Sequence, residues 1–196
     1  MSDIIEVSGV SKRFGGVIAN HDISLKVKKG GITGLIGPNG SGKTTLFNSV
    51  VGFHPIDAGS ITFEGSEISK LQVQDIARLG LLRTFQQTRI YGKMNCVQNM
   101  LISIPHRKAA FMDMFAPHSS ADTEKALSLL EFVGLYEKRN LLGGDLSFGH
   151  QKLLEFAMAL MNDPSVLMID EPTAGINPTL INGLIDRLKK ANEEFG

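Results

Sequence analysis

Eight consecutive residues, Gly37-Pro38-Asn39-Gly40-Ser41-Gly42-Lys43-Thr44, follow the pattern G-x-x-x-x-G-K-[ST]. Glycines at this spacing let successive backbone N–H groups turn inward around phosphate oxygens at a helix N-terminus. Lys43 then neutralises charge on the β- and γ-phosphates, and the Thr44 hydroxyl can ligate Mg²⁺. A second constellation lies far downstream, where the apolar run Val166-Leu167-Met168-Ile169 delivers Asp170 and Glu171. Asp-Glu-Pro is by itself an ordinary turn sequence, but with a phosphate loop upstream the two carboxylates acquire roles. Asp170 would hold Mg²⁺ through water, and Glu171, one residue farther along, can polarise an attacking water as general base. A third stretch, Leu146-Ser147-Phe148-Gly149-His150-Gln151, has a Ser-x-Gly turn with no nucleophile or metal ligand of its own. Ser147 suits the N-cap of the helix bearing Leu153 and Leu154, where backbone amides and the helix dipole favour an anion.

These residues need particular elements to hold them. Gly31 to Ile36 reads as a short apolar strand, and after the glycine-rich turn Leu46, Phe47, Val50 and Val51 fall at helical spacing, with Gly52 placed to stop the helix. The expected order is therefore strand, loop, helix. Val166–Ile169 suits a strand covered on both faces. His21 to Val27 alternates polar and apolar residues, and Ile61-Thr62-Phe63 repeats the pattern, so the N-terminal part is β-rich. From about residue 95 to 160 the helical period dominates. It shows in Ala126, Leu127, Leu130 and Val133 before Gly134, and again in Leu153, Leu154, Ala157, Met158 and Met161 before Pro164. A helical subdomain is expected there. Between its parts, Pro105 to Asp122 combines prolines and small polar residues with Phe111, Met112, Met114 and Phe115, and reads as a loop or short-helix insertion.

Composition narrows the functional classes. With 196 residues and 42% hydrophobic content, the chain can bury a substantial core as one domain or a domain with a subdomain. Lys+Arg and Asp+Glu each number 20, so no dominant basic field favours a nucleic-acid partner. The single cysteine, Cys96, excludes an internal disulfide, and the opening MSDIIEV lacks the regions of a secretory signal, which makes a cytoplasmic location the expectation. No apolar run approaches the roughly 20 residues that cross a bilayer, so any membrane connection must pass through other subunits.

A phosphate loop is shared by kinases, small GTPases, helicases and transport ATPases, and does not choose among them. The order Gly37 to Thr45, Gln86, Leu146 to Gln151, Val166 to Glu171 and Ala174-Gly175-Ile176-Asn177 resembles an ATP-binding-cassette (ABC) ATPase over essentially the whole chain. The resemblance implies an α/β P-loop NTPase fold of ABC type: a mixed sheet core, an N-terminal antiparallel β subdomain and a helical subdomain. It also implies that Ser147 and Gly149 complete the nucleotide site of a second, facing subunit by closing on its γ-phosphate. Phe14, in Lys12-Arg13-Phe14-Gly15, matches the aromatic that stacks on adenine, with an ordinary core phenylalanine as the alternative. Gln86, in Arg83-Thr84-Phe85-Gln86, matches the glutamine whose amide meets Mg²⁺ or the attacking water, ahead of residues that contact membrane subunits.

Asn177 stands where the family usually has Asp, and Phe148 and His150 replace the commoner Gly and Gln of the signature. None of the five histidines occupies the family's switch-histidine position, and the chain stops at Gly196. That implies a cassette truncated at its C-terminus, lacking the last strands of its sheet and leaving a strand edge uncovered. A narrower likeness, carried by Arg13-Phe14-Gly15-Gly16, Arg83 to Gln86, Asn99 and Ala174 to Pro178, is to the ATP-binding subunits of branched-chain amino acid importers. Urea and amide importers are close alternatives, as is a nucleotide-binding cassette with no transport role. The partners implied are a second ATPase subunit, identical or paralogous, and integral membrane permeases holding the chain at the inner face of the cell membrane; no nucleic acid is implied. The expected ligands are ATP and Mg²⁺.

Overall fold

A computed structural model of the chain describes residues 2–84, 90–104, 119–172 and 178–195. They divide into two compact units, residues 1–83 with 189–196, and residues 84–188.

The first unit is built on an antiparallel sheet in the order β2-β1-β3-β4, from β1 (Asp3–Phe14), β2 (Val17–Lys28), β3 (Ala58–Phe63) and β4 (Ser66–Glu67). The expected alternation is present, since Ile5 faces Phe63 and Val7 faces Ile61 across the β1–β3 ladder, and all four are buried. β1 pairs on its other edge with β2, and the two join through the tight Gly15-Gly16 turn, with Phe14 opposite Val17. The β1–β3 register shifts between Ser8 and Ser11, where a Cβ on Gly59 would lie 2.5 Å from the backbone of Gly9 and Ser8. Only glycine, at φ +89°, admits that approach.

α1 (Lys43–Val50) follows the glycine-rich loop as expected and stops before Gly52. The strand expected just ahead of the loop is absent: residues 31–36 form no strand, and Ile32, Leu35 and Ile36 are exposed, Ile36 at 95%. An apolar run becomes a strand only where a neighbouring ladder receives its N–H and C=O groups, and the apolar pattern alone does not reveal whether one is at hand. α2 (Val73–Arg78) and the short β5 (Leu81–Arg83) also belong to this unit. Both were too short to register in the sequence pattern.

The second unit is mainly helical. α3 (Cys96–Ile102) and α4 (Ser120–Phe132) each begin with a capping box, in which Asn95 and Gln98, or Ser119 and Asp122, satisfy each other's backbone donors. Residues 105–118 of the expected insertion lie outside the described residues, and its last residues belong to α4. Buried Asn99 ties the segment before α3 together: its amide donates to the carbonyls of Tyr91, Met94 and Asn95, and its Oδ1 accepts from Tyr91 N–H. α5 (Phe148–Leu160) buries Leu153, Leu154, Ala157 and Leu160 along its inner face, as its period indicated, and leaves Phe148 exposed. The carboxylate-bearing strand, β6 (Val166–Met168), is half-buried along its length and not covered on both faces as its apolar run suggested. α6 (Pro178–Phe195), whose residues from 189 on belong to the first unit, is an 18-residue amphipathic helix that the sequence pattern did not lead us to expect. Among the described residues no helix is long and apolar enough to cross a membrane.

Candidate functional site

The phosphate loop sits at the start of α1, and its shape is dictated by Gly42. This residue caps the helix at φ +88°, and a Cβ there would lie 2.2 Å from the Ala19 carbonyl oxygen of β2. Backbone strain and a backbone clash therefore reserve the position for glycine. Asn20, the next residue of β2, donates through Nδ2 to the Gly42 carbonyl at 3.2 Å. Its Oδ1 is buried without a hydrogen-bond partner among the described residues. Asn20 thus fastens the loop to the sheet, a role the sequence reading missed because a lone Asn in an alternating strand carries no motif.

Lys43 Nζ donates to the carbonyls of Gly37 (2.7 Å) and Pro38 (2.8 Å), so the ammonium lies across the loop it belongs to. Pro38, Asn39, Gly40 and Ser41 are exposed, and Lys43, Thr44 and Thr45 half-buried. The amides at the start of α1 have no acceptor within the helix, because the first turn of any helix leaves its donors unpaired. A glycine-rich loop, a helix N-terminus and an ammonium held over the loop are together a chemistry that can receive a polyphosphate.

Phe14 is at the tip of the β1–β2 hairpin with 45% of its surface exposed, which removes the alternative of a core phenylalanine. The His54 ring meets it in a T-shaped contact, centroids 5.1 Å apart. Asp57 secures this tip by accepting from Arg13 N–H at 2.6 Å and pairing with Lys12 Nζ at 3.1 Å. Those two contacts, the Arg13 amide first, hold the Asp57 carboxyl below its ordinary value. Phe14 therefore offers an anchored, exposed π-face in the same unit as the phosphate cradle.

In the second unit, Thr84 N–H donates to the Met168 carbonyl at 3.0 Å, which places Thr84 beside the end of β6. Gln86 itself lies outside the described residues, as does the stretch 173–177 containing Asn177. Asp170 is only 6% exposed and lines a small cavity with Thr84, Ile169 and the Lys152, Glu155 and Phe156 side chains of α5. Lys152 and Glu155 are buried there and lie 3.7 Å apart. Glu171 is exposed and has φ +47°, left-handed backbone that is uncommon for a non-glycine residue and recurs at functional turns. Among the described residues no three His, Cys, Asp or Glu side chains cluster as a metal site.

Ser147 caps α5, with its Oγ accepting from His150 N–H at 3.4 Å and lying 2.8 Å from His150 Nδ1. Gly149 is buried in the first turn, and Gln151 Nε2 donates to the Gly143 carbonyl, fixing the approach to the helix. His150 is held below the usual histidine range, chiefly by burial and secondarily by the positive charge of Lys138.

Comparison with known proteins agrees with this architecture. The ABC transporter family pattern matches residues 20–174, and the chain belongs to that family of ATPases. It is 39% identical to the high-affinity branched-chain amino acid transport ATP-binding protein BraF of Pseudomonas aeruginosa, over 97% of this chain and 78% of that protein. The LivG proteins of Archaeoglobus fulgidus, described as a probable branched-chain amino acid transport ATP-binding protein, and Escherichia coli are 39% and 36% identical. Those matches cover 98% and 89% of this chain, and 77% and 71% of the two relatives. Among solved structures, MJ1267, an ATP-binding cassette of an ABC transporter, superposes with a TM-score of 0.89 at 33% identity, covering 99% of this chain and 79% of that one. Its ADP conformation gives a TM-score of 0.88 at the same identity, with 99% and 78% covered.

Proposed function

We propose that this chain is the ATP-hydrolysing subunit of an ABC importer for branched-chain amino acids, a single nucleotide-binding domain whose residues from about 95 to 160 form its helical subdomain. Two such subunits, identical or paralogous, close on two ATP molecules at the cytoplasmic face of the membrane and move the permease subunits between their two orientations. What carries the reading is the 39% identity to BraF across nearly the whole chain, together with a built phosphate cradle at Gly37–Thr44.

In this reading Phe14 stacks on the adenine, while the amides of Gly40 to Thr45 and the Lys43 ammonium receive the β- and γ-phosphates. Pro38, Asn39 and Ser41 shape the cradle between Gly37 and Gly42. Thr44, Gln86 and Asp170 are the residues that hold Mg²⁺, which when bound offsets the phosphate charge. Glu171 accepts a proton from the water that attacks the γ-phosphorus, and the bond to the β–γ bridging oxygen breaks to leave ADP and phosphate. Ser147 and Gly149 of one subunit donate to the γ-phosphate held by its partner, so the pair closes on ATP and opens after hydrolysis.

The test is reconstitution in proteoliposomes with the permease subunits and solute-binding protein of a branched-chain amino acid importer. Leucine, isoleucine or valine should stimulate ATP hydrolysis severalfold. Stimulation by urea or short amides in their place would overturn the substrate assignment.

A further inference from the structure

We propose that His150 is a positioning residue for Ser147: its ring decides whether the Ser147 hydroxyl hydrogen points inward to the imidazole or outward to a phosphate oxygen, so that closure on the γ-phosphate takes up a proton. The inference rests on the proposed sandwich, in which Ser147 of one subunit closes on the γ-phosphate held by its partner, and assigns a pH dependence to that same site.

The geometry poses a donor problem. Ser147 Oγ has one hydrogen and already accepts, at 3.4 Å, from the His150 amide that it caps. At 2.8 Å from Nδ1, the hydroxyl must also exchange a hydrogen bond with the imidazole. When the ring is neutral with its proton on Nε2, Nδ1 can only accept, and the Ser147 hydrogen is spent on it. The outward side of Oγ then presents its remaining lone pair, which repels a phosphate oxygen. When Nδ1 carries a proton the bond reverses: Nδ1–H donates to Oγ, and the hydroxyl hydrogen is released to donate outward. A protonated ring adds a positive charge behind that hydroxyl.

Burial and, secondarily, Lys138 in the 3₁₀ turn Tyr136–Lys138 hold His150 below the usual histidine range, which disfavours the charged ring while no anion faces it. On its own helix the nearest charged side chains in sequence are Lys152 and Glu155, which pair with each other, and the carboxylate nearest in sequence ahead of the cap is Asp145. A γ-phosphate arriving at Oγ brings negative charge that pulls the His150 pKa upward, and the proton it recruits is the one that frees the hydroxyl. Glutamine, the commoner residue here, can donate to Oγ through its amide at any pH. Histidine makes the same donation conditional.

The experiment compares the parent chain with His150→Gln by sedimentation velocity in Mg²⁺ and a nonhydrolysable ATP analogue. Going from pH 6 to pH 8, the dimer of the parent should weaken by about tenfold and that of His150→Gln by less than about twofold, the difference being the linked proton. Titration of the analogue's own phosphate affects both proteins equally and cancels. Equal slopes in the two proteins, or a flat profile in the parent, would overturn the proposal, the latter because a neutral Nδ1–H tautomer would then suffice. NMR gives an independent readout on the parent chain: the His150 ring should titrate at higher pH with the analogue than without it, and an unmoved midpoint counts against the proposal. If both proteins bind the analogue but neither pairs at any pH, the sandwich reading itself fails and this inference falls with it.

Discussion

Gly42 and Ala19 approach so closely that a single methyl group cannot be placed between them: a Cβ on Gly42 would sit 2.2 Å from the Ala19 carbonyl oxygen. The clash is with the backbone of β2, at the register shift between Lys12 and Arg13 of β1, so it cannot be relieved by rotating a side chain. Gly42→Ala should therefore displace the loop from β2, cost about 1–3 kcal/mol of stability through forced left-handed backbone, and abolish detectable ATP binding. Thermal unfolding and nucleotide titration on the same preparation check both halves. Unchanged affinity would show that the loop does not depend on this contact.

Lys43 carries the charge of the cradle. Because its ammonium is held by the Gly37 and Pro38 carbonyls, it is in place for phosphate before nucleotide arrives. Removing a charged hydrogen-bond donor of this kind is worth about 1.5–3 kcal/mol, so Lys43→Ala should weaken ATP by roughly 10- to 150-fold while leaving the circular dichroism spectrum unchanged. Calorimetric titration with ATP measures the loss.

Asp57 links pH to the hairpin tip that carries Phe14. Its carboxyl is held below its ordinary value of 3.8 by the Arg13 amide and Lys12. A depressed carboxyl stabilises the fold fully above its unfolded-state value, and the contribution fades as pH falls through the lower folded-state value. The melting temperature of Asp57→Asn should therefore lie below that of the parent at pH 6, and the gap should narrow as both are taken below pH 3.8. A gap that stays constant with pH would show that the contact does not depend on the carboxylate charge.

Ser119 offers a control away from any nucleotide. It caps α4 by accepting from Asp122 N–H at 3.1 Å, and Asp122 returns the bond to Ser119 N–H at 3.2 Å. Ser119→Ala should cost about 0.5–2 kcal/mol in chemical denaturation without altering ATP affinity.

How legible this was in the sequence depended on whether a residue's role is local. The glycine-rich loop, α1, the Ser147 cap and the run of α5 follow from spacing and capping chemistry within a dozen residues, and the structure has them where the pattern put them. The failures share a cause. Ile32, Leu35 and Ile36 read as a strand because they are apolar, yet strand formation needs a ladder that lies elsewhere in the chain. Val166–Met168 read as covered on both faces for the same reason and is half-buried. Asn20, His54 and Asp57 escaped notice because each acts on a residue distant in sequence: Gly42, Phe14 and Arg13. The His150–Ser147 bond spans only three residues, but a histidine in a helix's first turn does not announce which nitrogen faces the cap.

Glu171 bears the central claim, that this chain hydrolyses ATP with a carboxylate at the end of β6 and pairs with a second subunit around uncleaved nucleotide. The decisive measurement is hydrolysis and oligomeric state of Glu171→Gln, by phosphate release and size-exclusion chromatography in Mg²⁺ with ATP or ADP. Glutamine keeps the size and much of the hydrogen bonding but cannot take the proton, so turnover should fall by about 10²–10⁴-fold with ATP affinity retained. The protein should elute as a dimer in ATP and as a monomer in ADP. Hydrolysis at the parent rate, or a monomer in ATP, would contradict the account.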